Sequence, residues 1–251
     1  MIHQIAPYML REDILREIIY PDLEQTLYWT DDWDPSFYKE LAQAGFISIS
    51  HAHPDLGPIL IPELQADYAV LDWENLHCSS RLQRLRRSNL LEEEGVRLQI
   101  VDSCDRVLAR IIDYHQPRTW LTAPYQDLLR TLSSTQDPHF KVHSVELWSH
   151  KRDQLIAGEI GYSTGTTYTS LSGFTTRHDP MWRSFGTLQM VLLAERLETL
   201  GYAFWNMGHT QQDYKLALGA RVIPRERFLG RWIEATRRDP PILILEEETP
   251  G

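Results

Sequence analysis

Thr119-Trp120-Leu121-Thr122, His143-Ser144-Val145-Glu146-Leu147-Trp148 and Leu155-Ile156-Ala157-Gly158-Glu159-Ile160-Gly161 lie within residues 117–161 and carry the clearest strand pattern of the chain. The second and third runs predict strands over 142–148 and 154–162, because short apolar-rich segments bounded by turn residues suit a sheet. A tight turn at Ser163-Thr164-Gly165-Thr166 returns the chain as a third strand over 168–174. A long amphipathic helix over 184–200 follows and ends at Gly201, then a strand over 203–207, a short helix over 211–218 and a last strand over 228–233. Three antiparallel strands feeding a helix give an α+β order, not a regular βαβ alternation.

The first half is predicted as helix 11–19, then a helix from Pro35 to residue 44 with Asp34 as its N-cap and Gly45 as its stop. Strands over 46–50, 59–61 and 68–71 read as a meander. A strand at 96–100 and helices at 103–114 and 123–132 complete the pattern. The chain therefore divides into an N-terminal α+β portion, 1–116, and a C-terminal catalytic portion, 117–251.

The 251 residues, 42% hydrophobic and 10% aromatic, suffice for a sizeable core and exclude disorder over most of the chain. Cys78 and Cys104 form neither a disulfide framework nor a metal-spaced pair, which suits a reducing, cytoplasmic compartment. His51 and His53 alternate on one strand but lack further ligands, so no metal is expected. There is no export signal and no apolar run long enough to span a membrane. A net charge of -10 excludes indiscriminate nucleic-acid binding, so DNA and membranes are not expected partners. One local basic patch stands out, Arg81, Arg84, Arg86 and Arg87 on a helix capped by Ser79 and docked through Leu82 and Leu85. Those arginines offer a tRNA contact, or pair with the acidic Glu92-Glu93-Glu94 that follows.

Together these runs resemble the leucyl/phenylalanyl-tRNA protein transferases, a branch of the GNAT acyltransferase superfamily. That family carries a Thr-Trp-Ile-Thr segment, a His-Ser-Ile/Val-Glu-Val/Leu-Trp strand, a Leu-Val-Gly-Gly-x-Tyr-Gly-Val strand and a Leu-Gly-Ala-x-x-Ile-Pro-Arg ending. Here the ending stands as Leu218-Gly219-Ala220 with Ile223-Pro224-Arg225. The resemblance implies a GNAT-like, largely antiparallel sheet flanked by helices. It also implies transfer of an aminoacyl group, leucine- or phenylalanine-like, from the 3′ end of aminoacyl-tRNA to the N-terminal amine of an acceptor protein or to a small amine, with no cofactor. Trp120 matches the tryptophan that lines the 3′-adenosine and aminoacyl pocket, where stacking on a base is worth ~1–3 kcal/mol.

The departures fall on pocket positions. The family's Phe-x-Gly-Glu-Ser-Met-Phe-Ser strand stands here as residues 168–175, so Leu171 replaces the glutamate beside Ser172 and Phe174. Asn206 occupies the place of the family's acid, and Gly208 or His209 that of its amide. Antiparallel pairing about Gly165 sets Glu159 opposite Leu171, from where it can supply the missing carboxylate; a one-residue slip sends it to the other face. His209 is a second candidate for proton transfer. Two rival readings are acyl-CoA-dependent acyl transfer and a catalytically idle relative that binds tRNA or a protein terminus. Arg183-Ser184-Phe185-Gly186-Thr187-Leu188 half matches the turn that the first rival requires, and the absent glutamate motivates the second.

Overall fold

The protein is described by a computed structural model over residues 2–117 and 119–243, so residues 244–251 of the expected C-terminal portion lie outside the described residues. In chain order the elements are β1 (His3–Gln4), α1 (Glu12–Ile14) continuing as a π-helical turn at Leu15–Ile19, β2 (Tyr28–Trp29), α2 (Pro35–Gln43), β3 (Ile47–His53), β4 (Gly57–Glu63) and β5 (Asp67–Leu71). Next come α3 (Ser80–Arg87), α4 (Leu90–Glu93), β6 (Val96–Val101), α5 (Asp105–His115), α6 (Ala123–Ser134), β7 (Phe140–Ser149), β8 (Gln154–Thr164) and β9 (Thr167–Thr175). The chain ends with α7 (Phe185–Leu200), β10 (Phe204–Gly208), α8 (Asp213–Ala217), β11 (Arg221–Pro224) and α9 (Arg225–Thr236).

Local chemistry sets several of these boundaries. The Asp34 carboxylate accepts from the amides of Ser36 and Phe37, satisfying two donors that a helix start leaves unpaired. Ser79 caps α3 through Leu82 N–H in the same way. Gly201, at φ 86°, closes α7 in the left-handed region that only glycine adopts cheaply.

A seven-stranded sheet in the order β11-β5-β10-β9-β8-β7-β6 forms the centre. Every neighbouring pair is antiparallel except β9 and β10, which run parallel and are joined by the α7 crossover. This mixed, mostly antiparallel α+β architecture matches the expectation. Two apolar cores sandwich the sheet. One holds Phe140, Val142, Ile160, Tyr162, Phe204 and the inner faces of α2, α5, α6 and α9. The other holds Val145, Ile156, Tyr168, Trp205 and the inner faces of α7 and α3.

Two expectations are corrected. Residues 228–233 are helical, not a strand: Phe228, Leu229, Trp232 and Ala235 are buried at i, i+1, i+4 and i+7, the spacing of one helix face, and the last strand lies earlier at β11. The expected meander is also split, because β3 and β4 form their own hairpin while β5 leaves to pair with β10 and β11. Since β5 and β6 come from the first 116 residues, the central sheet spans both expected portions.

Candidate functional site

Parallel pairing of β9 with β10 lasts only three residues, from Phe204↔Thr167 to Asn206↔Thr169. Beyond Thr169, β9 has no strand paired on its β10 side among the described residues, so the sheet opens there. At the same level β9 is irregular against β8: Gly161 pairs with Ser170 but Ile160 pairs with Ser172, leaving Leu171 as the inserted residue of a bulge. A bulge re-aims the side chain of its extra residue, and here that residue is a leucine.

That bulge corrects the expected register. Glu159 stands opposite Gly173, not Leu171. Its carboxylate turns to the α7 face, where it accepts from Tyr168 Oη at 3.0 Å, Ser170 Oγ at 2.9 Å and Gln189 Nε2 at 3.3 Å. Trp205 Nε1 donates to the same Ser170 hydroxyl at 2.9 Å. Desolvation pushes the Glu159 carboxyl above its ordinary pKa, against the pull of these donors and of Lys215. Gly161 makes the network possible, because a Cβ there would collide with the Tyr168 ring and with the Thr169 carbonyl at 2.5 Å. Leu171 packs instead against the opposite core, so the carboxylate does not reach its position.

Asn206 follows Trp205 on β10 and by strand alternation faces that opposite core. Its amide donates to Thr169 Oγ1 at 3.4 Å and its carbonyl accepts from Gly208 N–H at 3.0 Å. Trp120 is on this side too, half-buried and 5.3 Å from the Tyr125 ring. Its loop is tied to β3: Ser50 Oγ donates to the Trp120 carbonyl and accepts from Thr122 N–H at 3.1 Å. Ser172 Oγ lies 3.5 Å from His115 Nε2, and Arg110 stacks over Phe174 at 5.4 Å. The structure thus gathers Trp120, Leu171, Ser172, Phe174 and Asn206 on one face and sets Glu159 on the other.

His209 leaves the end of β10 and meets Glu63 of β4, Nε2 to Oε2 at 3.2 Å. Burial raises the Glu63 carboxyl to about 7 and lowers His209, which Lys215 lowers further. Sequence reasoning missed both Glu63 and Lys215. Lys215 is buried on α8, donating to the Met207 carbonyl and to the His209 carbonyl at 2.9 Å, and desolvation lowers its pKa to about 8. Its signal is a lysine three residues before Leu218, a spacing that places the two on one side of a helical turn. Nothing in the sequence marks Glu63.

On α3, Arg81, Arg84 and Arg87 are exposed, while Arg86 is held by Glu195 of α7 at 2.6 Å. The acidic run supplies none of their partners: Glu94 binds Arg152 at 2.7 Å and Lys151 at 3.5 Å. Among the described residues no group of His, Cys, Asp and Glu is arranged to hold a metal ion, and no helix is long and apolar enough to cross a membrane.

The leucyl/phenylalanyl-tRNA protein transferase family matches over residues 70–232. No curated protein matches the chain. Among solved structures, the C-terminal domain of a putative lysylphosphatidylglycerol synthetase from Agrobacterium fabrum is 16% identical with a TM-score of 0.43, over 76% of this chain and 63% of that one. The chain thus spans less than two thirds of that relative's length. L-PGS from Bacillus licheniformis is 14% identical with a TM-score of 0.44, over 91% and 80% of the two chains. A probable N-acyltransferase from Enterococcus faecalis is 12% identical with a TM-score of 0.35, over 87% and 50%. Similarity this remote fixes nothing about substrate.

Proposed function

The chain belongs to the leucyl/phenylalanyl-tRNA protein transferase family, and from that premise we propose that it moves a leucine- or phenylalanine-like aminoacyl group from charged tRNA to an N-terminal amine. The observation that carries the reading is the extent of the match: residues 70–232 take in the Trp120 loop, the β8–β9 bulge and the exit of β10 in one continuous stretch.

The aminoacyl ester is already activated, so the protein's task is to bind, orient and move protons. The amine nitrogen attacks the ester carbonyl carbon, the bond to the ribose oxygen breaks, one proton leaves the nitrogen and one joins the ribose oxygen. In this reading Trp120 stacks on the terminal adenine, Leu171 and Phe174 receive the apolar side chain beside Ser172, and Asn206 orients the reacting groups. His209 takes the proton, with Glu63 behind it. Glu159 is a positioning residue, acting through Tyr168 and Ser170 on the strand that carries Leu171. The exposed arginines of α3 meet tRNA phosphates.

Purified protein is given labelled leucyl- and phenylalanyl-tRNA with peptides that differ in their N-terminal residue, and a parallel reaction receives acetyl-CoA. Label appearing on a peptide N-terminus supports the reading. Consumption of acetyl-CoA with no movement of label replaces it by acyl-CoA chemistry, against which Leu188, buried where a second small residue is required, already weighs. Binding of charged tRNA without any transfer makes the protein the idle relative.

A further inference from the structure

On the side of the sheet that holds Trp120 and Leu171, the linker between β4 and β5 presents a side chain that no step above uses. Gln65 is 4% exposed, and its Nε2 is fully buried with no hydrogen-bond partner among the described residues. Leaving an amide donor buried and unpaired costs about 1–3 kcal/mol, so a native protein keeps one only where something else depends on it.

The backbone around Gln65 is clamped. Its N–H donates to Tyr68 Oη at 3.1 Å and its carbonyl accepts from Arg225 Nε at 2.8 Å. Arg225 also donates to the carbonyls of Leu64 and Asp22, and its own N–H donates to the Ala66 carbonyl at 2.8 Å. The linker is therefore fixed on both sides while the carboxamide at its centre is left without a partner.

The amide faces the exit of β10. Gly208, at φ 73°, carries no side chain, and a Cβ placed there would meet only Ile47 Cδ1 at 3.1 Å and Gln65 Nε2 at 3.9 Å within 4 Å. Glycine thus keeps a side chain from crowding Ile47 beside the unpaired donor. The flanking residues are Asn206, whose side chain binds Gly208 N–H, and His209, whose ring binds Glu63 two residues before Gln65. A second buried group without a partner, the Tyr162 hydroxyl, lies on the same side of the sheet, on β8 opposite Thr169, which binds Asn206. The backbone at Gly208 thus lies beside one unpaired donor, the Gln65 amide, which makes no hydrogen bond to a carboxylate among the described residues. That amide suits a hydrogen-bond acceptor.

We infer that Gln65 is a substrate-binding residue whose carboxamide donates to the carbonyl oxygen of the transferred acyl group, beside Gly208. This rests on the aminoacyl-transfer reading and names the group that orients its ester.

The test uses the full chain and an amide-linked 3′-phenylalanylamino-adenosine, with adenosine as the control that lacks the carbonyl. Gln65→Met keeps the length of the side chain and removes the donor; Gln65→Glu keeps the shape and replaces the amide donors by oxygens. Both variants should bind the amide analogue about tenfold more weakly, which is ~1.4 kcal/mol, and bind adenosine as the wild type does. Free Gln65→Met should melt no lower than wild type, because the unpaired donor is gone. Wild-type affinity for the analogue in both variants, or a lowered melting point in Gln65→Met, overturns the assignment and leaves the transfer reading standing. A wild-type protein that binds neither the analogue nor charged tRNA overturns both.

Discussion

The two faces of the sheet around β9 both carry buried polar groups, with the best-connected network on one and the unpaired Gln65 amide on the other. On the α7 face the Glu159 carboxylate is met by Tyr168, Ser170 and Gln189, and Trp205 closes the set through Ser170. On the other face the Gln65 amide and the Tyr162 hydroxyl are buried without partners. A satisfied buried network rigidifies, and an unpaired donor or acceptor asks for a partner: Gln65 Nε2 does so on one face and His143 Nδ1 on the α7 face. Under the proposed function, Glu159 supports the site from the α7 face and the substrate binds on the face where Leu171 stands.

The largest effect should come from the clamp that holds the open face. Arg225 is buried and its guanidinium serves the carbonyls of Tyr20, Asp22, Leu64 and Gln65. Arg225→Met strands those carbonyls, at about 1–3 kcal/mol for each one left buried and unpaired, read as a lowered midpoint in urea. A loss below ~1 kcal/mol would mean that the linker holds itself. Next in size is the opposite face. Glu159→Leu leaves the donors of Tyr168, Ser170 and Gln189 unpaired and should cost ~2–4 kcal/mol, whereas Glu159→Gln keeps an acceptor and should cost about 1 kcal/mol. If Glu159→Gln instead abolishes transfer at unchanged stability, the contrast breaks and the chemistry belongs under α7.

This contrast was only half visible in the sequence. Strand positions from 142 to 174 were legible because turn chemistry at Gly165 and apolar patterning agree, and Asp34, Ser79 and Gly201 marked helix ends by local rules. The bulge at Leu171 was not, since an inserted residue leaves no compositional trace, and that single residue moved Glu159 from Leu171 to Gly173. Residues 228–233 misled for a related reason: a short apolar run fits either period, and only the buried spacing of Phe228, Leu229, Trp232 and Ala235 declares the helix. Glu63, Gln65 and Lys215 gain meaning from what lies across from them in space, which spacing along the chain does not encode.

Glu63 gives a smaller, pH-dependent test of the open face. Its carboxyl rises from 4.5 to about 7 on folding, so between those values the folded state binds more protons than the unfolded state. Stability must then fall as pH rises through that window, and below 4.5 the group contributes nothing. Glu63→Gln stays neutral, so its melting point should equal that of wild type near pH 4.5 and exceed it increasingly up to about pH 7. A constant offset across that range would show that Glu63 does not titrate there. In transfer assays the same substitution should flatten the rise in rate that accompanies deprotonation of the Glu63–His209 pair.

The smallest effect on stability and the most direct on tRNA belongs to α3, which docks on the α7 side through Leu82 and through Arg86 against Glu195. Arg86→Ala removes one half-exposed ion pair, worth ~0.2–1 kcal/mol, and should leave the salt dependence of tRNA binding unchanged because that guanidinium is already committed. Replacing Arg81, Arg84 and Arg87 together by alanine removes no buried contact, so the melting point should hold. If each meets a phosphate, the log–log slope of tRNA affinity against salt should shrink by roughly 0.7–0.9 per arginine. An aminoacyl end bound on one face and a tRNA body gripped from the other must pass the sheet edge or the opening beyond Asn206. An unchanged slope would therefore assign the α7 face to support alone, whereas a reduced slope would make it the tRNA side and fix the direction from which the charged 3′ end enters.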